Sequence, residues 1–133
     1  MLRHTLNDLI ENFALLDDWE DRYRYLIDLG KDLPPMADGL KSDASLVRGC
    51  TSRVWMVATK GPDSKFHIIA ESDAHIVRGL IAILLSAYQD KTPQEMAKVD
   101  IKAAFEQMGL SENLSPNRRN GFFAMVERIR ALS

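Results

Sequence analysis

Residues 54–88 read VWMVATKGPDSKFHIIAESDAHIVRGLIAILLSAY, and this stretch decides the fold. Val54 to Thr59 and Phe66 to Ala70 are short runs rich in β-branched and aromatic side chains. Between them, Gly61-Pro62-Asp63-Ser64 is a strong turn signal, so the two runs should pair as a β-hairpin. After Glu71 the period changes from two to 3.6. Ile76, Val77, Leu80, Ile81, Leu84 and Tyr88 form a broad apolar face, the pattern of the most buried helix of a fold. Ser72 and Asp73 stand where they could cap it. Upstream, Leu46-Val47-Arg48 can add a third, shorter strand before Gly49. Nothing suggests a βαβ crossover, so an antiparallel sheet is expected.

Both flanks read as helical. Leu6, Leu9, Ile10 and Phe13 recur at helical spacing behind a Thr5 cap. Asp18 can cap a second helix with Trp19, Tyr23, Leu26 and Ile27 on one face, and Gly30 sits where a left-handed residue would end it. Lys31 to Ser45 carries Pro34, Pro35 and Gly39 without periodicity and reads as a long loop. Downstream, Thr92-Pro93-Gln94-Glu95 combines a capping box with proline at the first helical position. Asp100 can cap Ile101 to Met108, with Gly109 as the stop. Ser115-Pro116 then starts a last helix with the stripe Phe122, Met125, Val126, Ile129 and Leu132. The expected class is α+β: a small antiparallel three-stranded sheet packed against helices in two layers, as a single domain over residues 1–133.

Composition narrows the function classes. Seventeen Lys and Arg against nineteen Asp and Glu leave a formal charge of -2, so no basic excess is available to neutralise a phosphate backbone. Nucleic acid is therefore not an expected partner. The longest strongly apolar run, inside Ile76 to Leu85, is broken by Arg78 and too short to span a bilayer. A chain of this size buries roughly 68% of its unfolded surface, enough for one core. Met1 to Asp8 lack the basic start, apolar middle and small-residue cleavage site of a secretory signal. With one cysteine there is no internal disulfide, and a cytoplasmic, reducing location is expected.

That cysteine is the first chemical candidate. Cys50 lies in Arg48-Gly49-Cys50-Thr51-Ser52-Arg53, a polar break between apolar segments. Buried structural cysteines are common, but a cysteine on a turn after glycine is presented rather than packed. A free thiol is only about 3% thiolate at neutral pH, and the thiolate is the nucleophile. Raising that to half requires ~2 kcal/mol. One guanidinium at ~4 Å in an effective dielectric of ~20 could supply ~4 kcal/mol, so a single well-placed arginine suffices. Burial of the sulfur would act in the opposite direction.

Arg118 and Arg119 are the second oddity, because positive charge in a helix's first turn opposes its dipole. They are either solvated side chains or an anion or partner site. His4, His67 and His75 are scattered, and a lone cysteine excludes a Cys-rich zinc centre, so no metal is expected. His67 reads as the exposed side of a strand and His75 as a helix's first turn. Trp19, Trp55 and Phe122 read as core.

At Cys50 the sequence resembles the SufE family of sulfur acceptor proteins, with its CsdE branch. The resemblance runs from Trp19-Glu20-Asp21-Arg22-Tyr23 and Leu29-Gly30-Lys31 through Val47-Arg48-Gly49-Cys50-Thr51-Ser52-Arg53-Val54-Trp55. It continues over Ser72-Asp73-Ala74-His75-Ile76-Val77-Arg78-Gly79-Leu80 and closes on Leu114-Ser115-Pro116-Asn117-Arg118. It implies a fold similar to Fe–S scaffold proteins without their three-cysteine metal site. It also implies a partner, a cysteine desulfurase similar to SufS or CsdA, whose pyridoxal phosphate does the bond cleavage. No cofactor is expected on this chain itself. The accepting thiol matches Cys50, Arg118 matches a family arginine close to the partner-facing surface, and Asp73 matches the acidic residue opening the buried helix; with Gly49 and Thr51 they are the expected partner-binding residues. Relatives often carry glutamine where this chain has Thr51.

The resulting expectation is a sulfur carrier with no independent turnover. It would stimulate the desulfurase, hold a Cys50 persulfide in a small apolar recess, and pass sulfur to a downstream Fe–S scaffold or acceptor. Two rivals stay open: a protein-binding activator with an inert Cys50, and a single-cysteine thiol redox enzyme.

Overall fold

The computed structural model describes residues 5–49 and 52–132. At its centre is the hairpin: β1 (Val54–Lys60) pairs antiparallel with β2 (Phe66–Ser72), in register from Val54 opposite Ser72 to Lys60 opposite Phe66. The connecting turn closes through Gly61 N–H donating to the Lys65 carbonyl at 3.0 Å, with Asp63 Oδ1 accepting from Lys65 N. Val54, Met56, Phe66, Ile68 and Ala70 face inward, and α3 (His75–Tyr88) packs behind them. Eleven of the fourteen residues of α3 are buried, which makes it the axis of the core.

Around α3 stand α1 (Leu6–Ala14), α2 (Trp19–Lys31) and α7 (Pro116–Leu132). Three short helices, α4 (Pro93–Ala97), α5 (Ile101–Gln107) and α6 (Leu110–Asn113), lead into α7. Helix α6 was not expected from the sequence, but the starts of α1, α2, α4 and α5 are as read from it. Thr5 and Thr92 close capping boxes, Asp18 accepts from Asp21 N, Asp100 accepts from Ala103 N, and Gly109 turns the chain at φ 75°. Glu95 is held below the usual carboxylate range, chiefly because the Thr92 backbone N–H donates to its Oε1 at 3.0 Å. A lowered folded value means the contribution is present above the ordinary glutamate range and is lost as pH falls through the lowered one. NMR titration should therefore find Glu95 ionising below free glutamate, with the Thr92 amide losing protection relative to its intrinsic exchange rate as Glu95 is protonated.

Four expectations need correction. Among the described residues there are two strands, not three: Leu46 makes only an isolated bridge to Trp55. Ser45, just before it, is bound into a turn by Ser45 N–H to the Ser42 carbonyl, and Gly49 just after it sits at φ 92°, so the segment has no length in which to stay extended. Gly30 does not end α2 in a left-handed residue; it is helical and buried, and its missing side chain admits α3 at Gly79. Asp73 does not cap α3, whose N-cap is Ala74 without a side-chain bond. Trp55 is not core: it lies half-buried on the outer sheet face, with Lys41 Nζ 5.5 Å over its ring and in turn 3.1 Å from Glu71.

Candidate functional site

The strap joining Ser45 to β1 is tied at its base by short backbone bonds. Val47 N–H donates to the Val54 carbonyl at 2.7 Å and Met56 N–H to the Ser45 carbonyl at 2.8 Å. Its approach is fixed as well. The buried Ser45 hydroxyl donates to the Leu40 carbonyl at 2.6 Å, and Arg128 Nη2 from α7 donates to the Ala44 carbonyl at 2.8 Å. At Gly49 the chain needs φ 92°, a region L side chains rarely adopt. A Cβ there would also lie 3.2 Å from that of Ala124, so the strap runs close against α7.

On the way out, Asp73 is the pin. Its Oδ1 accepts from Arg53 N at 3.2 Å while its own N–H donates to the Arg53 carbonyl at 3.3 Å, extending the β1–β2 ladder by one side-chain rung. Replacing Asp73 by Ala should speed hydrogen exchange at the Arg53 amide by about fivefold, the size of one hydrogen bond of ordinary net strength. Asp73→Asn keeps a carbonyl acceptor and should restore most of the protection. Equal exchange in all three proteins would show the rung to be idle.

Where the strap meets the helices there is a cavity of about 220 Å³. Ser52 contributes from the strap, Val77 and Leu80 from α3, and Asn117, Arg118, Gly121, Phe122 and Met125 from α7. Phe122 is fixed from behind by stacking on Phe105 at 4.4 Å. Arg118 is the one charged side chain among these described lining residues, and no carboxylate accompanies it. Its backbone N–H donates to Ser115 Oγ at 3.3 Å, as the Ser115-Pro116 start signal requires. Its Nη1 is shielded from solvent and has no hydrogen-bond acceptor among the described residues. Arg119 differs: its Nη1 donates to the Ser111 carbonyl at 3.0 Å, so it ties α7 to α6.

The candidate residues are thus partly brought together. Gly49 and Arg118 both meet the α7 side of the strap, and Asp73 holds the strap's exit without lining the cavity. Cys50 and Thr51, between Gly49 and Ser52, lie outside the described residues. Neither His67 nor His75 lines the cavity; His67 lies on the outer sheet face, 3.8 Å from Asp90. Sequence reasoning missed Ser52, Asn117, Gly121 and Met125 as cavity residues. One signal was available: Arg118, Gly121, Phe122 and Met125 follow helical spacing, so an arginine on the buried stripe of α7 was readable.

A family model described as SufE, the Fe-S metabolism associated domain, matches residues 7–133. The chain belongs to the SufE family. An uncharacterized SufE-like protein of Rhizobium etli is 47% identical over 129 residues, covering 95% of this chain and 87% of that protein. Another, from Rhizobium meliloti, is 43% identical over 130 residues, covering 96% of this chain and 93% of the relative. The solution structure of a hypothetical protein from Thermus thermophilus superposes with a TM-score of 0.76 over 98% of this chain and 94% of its own. At 22% identity it shows a shared fold for this SufE domain. Among the described residues no helix is long and apolar enough to cross a membrane, and no cluster of His, Asp and Glu could hold a metal ion.

Proposed function

We propose that this SufE-family chain is a sulfur carrier: Cys50 takes sulfur from the persulfide of a cysteine desulfurase and delivers it to Fe–S cluster assembly. The observation that carries the reading is a family match in Fe–S metabolism over a chain whose single cysteine sits between Gly49 and the cavity-lining Ser52. The Cys50 thiolate attacks the outer sulfur of the donor persulfide. The donor's S–S bond breaks, its inner sulfur leaves as a thiolate, and a new S–S bond forms on Cys50. The rate depends on thiolate fraction, on the leaving thiol's pKa and on access. No net oxidation occurs, so the chain needs no redox partner for this step. Cleavage of the carbon–sulfur bond belongs to pyridoxal phosphate on the desulfurase.

Strap architecture supports a transfer site. Its described ends are pinned, by Val47–Val54 and by Arg53–Asp73, and Gly49 lies close against α7, the helix that carries Arg118. Gly49, Asp73 and Arg118, with Thr51 beside the thiol, form the surface offered to the desulfurase. Docking there stimulates turnover by removing product sulfur. The activity belongs in the cytoplasm, where a lone thiol stays reduced.

Intact-mass measurement tests the transfer. After incubation with a cysteine desulfurase and free cysteine under nonreducing conditions, the chain should gain one sulfur atom, removable by thiols and mapped to Cys50. An unchanged mass, with the desulfurase shown to be active, rules the transfer out.

A further inference from the structure

We propose that the open edge of β1, with Arg128 at one end of it, is a docking groove for the extended C-terminal tail of a partner protein, held by main-chain pairing and by its terminal carboxylate. The proposal goes beyond the sulfur-carrier reading and does not depend on it.

The two edges of the sheet are treated differently. Along β2 the edge is closed: Phe66 N–H donates to the Lys91 carbonyl and Asp90 N–H to the Phe66 carbonyl, both at 2.9 Å. The Gln89 side chain then takes the place of a strand, accepting from Ile68 N–H at 2.6 Å and donating to the Ile68 carbonyl at 2.8 Å. Along β1 only the first half is closed, where Val54 and Met56 bond to Val47 and Ser45. The Ser42–Ser45 turn draws the chain away beyond that point. Outward main-chain groups recur at every second residue of a strand, so Ala58 and Lys60 face the same way as Val54 and Met56. Among the described residues nothing pairs with the Ala58 N–H or carbonyl on that side. Proline, a bulge or an outward charge commonly guards such an edge. Here the register is continuous, and Lys60 leans toward β2 with its Nζ 5.9 Å from the Phe66 ring.

A groove of about 310 Å³ lies beside this edge, between Val57 and Ala58 of β1, Leu40 of the preceding loop, and Arg128 and Leu132 of α7. Leu40 and Leu132 are large apolar side chains left exposed. Ser42 and Ser45 add polar lining, and the Ser45 hydroxyl is already bonded to the Leu40 carbonyl. Arg128 is the one charged residue of the described lining. Its Nη2 donates to the Ala44 carbonyl at 2.8 Å, while its Nε is shielded from water and has no acceptor among the described residues. Leaving a buried donor open is destabilising.

Direction chooses the occupant. Antiparallel addition is the slightly more stable mode, and it runs an incoming strand from Lys60 toward Met56. Ser45 already holds the edge at Met56, so the incoming strand must stop there. Arg128 stands at that stop, tied to Ala44, the residue before Ser45. A chain terminus fits a blocked edge where a through-running segment does not, and the terminus that arrives in the antiparallel sense is the carboxyl one. Its carboxylate supplies the acceptor the guanidinium lacks, as a charge-assisted bond. Pairing with Ala58 gives affinity without demanding a particular sequence, and alternate side chains of the tail fall on Leu40 and Leu132. The groove shares no described lining residue with the cavity under the strap. Arg118 and Arg128 are separated by about 15 Å along α7. A tail held here therefore leaves the strap face open to a second protein, and acts as a tether.

The test uses the full chain and a short acetylated peptide of alternating valine and threonine, ending in leucine with a free carboxylate. NMR follows its titration to the solubility limit. Saturable shifts at the Ala58 and Lys60 amides, with slowed exchange at the Ala58 amide, are expected. The same peptide with a C-terminal amide should bind about tenfold more weakly. Arg128→Met should bind both peptides alike, at the strength of the amidated one. Amidation leaves the protein untouched, so the carboxylate is still tested if Arg128→Met does not fold. Equal binding of the two peptides to wild type overturns the proposal, as does the absence of shifts at those amides. Shifts there that grow with protein concentration alone, without peptide, give the edge to a second copy of this chain and overturn it too.

Discussion

Cys50→Ser should keep the fold and lose sulfur acceptance to background. The change replaces one sulfur by one oxygen and alters none of the core residues of β1 and α3. The chemistry is removed outright, since a serine hydroxyl without an activating base is a weak nucleophile at neutral pH. Intact mass after incubation with desulfurase and cysteine should show no added sulfur, and stimulation of the desulfurase without added reductant should disappear. The two readouts separate the rivals. A serine variant that still raises turnover makes the chain a binding activator with an inert thiol. Peroxide consumption by wild type that ends with Cys50→Ser, together with a sulfenic acid at that position, makes it a thiol redox enzyme.

Which parts of this molecule were readable from sequence follows a single physical division. Thr5, Asp18, Thr92 and Asp100 were read correctly because an N-cap acts within three residues of itself. The hairpin and α3 were equally plain, since their periodicity is a local record of one buried face. Two of the misreadings were residues whose partner is remote in sequence. Gly30 has the local look of a helix stop, but its reason is Gly79 on another helix. Asp73 looks like a cap, yet its acceptor oxygen serves Arg53, twenty residues earlier. Leu46 and Val47 have strand-forming side chains, and only the turn at Ser45 and the left-handed Gly49 show why pairing stops at a bridge.

The same division applies to the candidate site. Cys50 stands out as a candidate by residue type and sequence setting alone. The cavity does not, because three segments widely separated in sequence build it: Ser52, the Val77–Leu80 turn of α3, and the start of α7. Arg118 and Arg119 are adjacent and chemically identical, so sequence alone treats them alike. A rotation of about 100° along the helix sends one to the Ser111 carbonyl and the other to the cavity. Geometry of that kind is not written in residue type.

The largest structural effect should come from Gly79→Ala. An added Cβ would meet the Leu26 carbonyl oxygen and stand 2.7 Å from the Leu26 carbonyl carbon, on the backbone of α2. A side chain could rotate aside, but a carbonyl in a helix cannot move without the helix. Alanine gains about 1 kcal/mol of helix propensity over glycine. Overpacking a core contact costs about 1–3 kcal/mol, occasionally more, and a contact with rigid helix backbone this close belongs at the upper end, so the steric term wins. The helices must separate along the seam where Gly30 and Gly79 face each other, and α3 is the element on which α2, β2 and α7 all pack. The net loss should lower the melting temperature by about 5–10 °C. Gly39→Ala is the control: nothing lies within 4 Å of its added Cβ, so its unfolding midpoint should match wild type. Because α3 also supplies Val77 and Leu80 to the cavity, Gly79→Ala should disturb the cavity wall as well as the core. A Gly79→Ala protein as stable as Gly39→Ala would mean that α2 and α3 do not meet through bare backbone, and the core would need a different account.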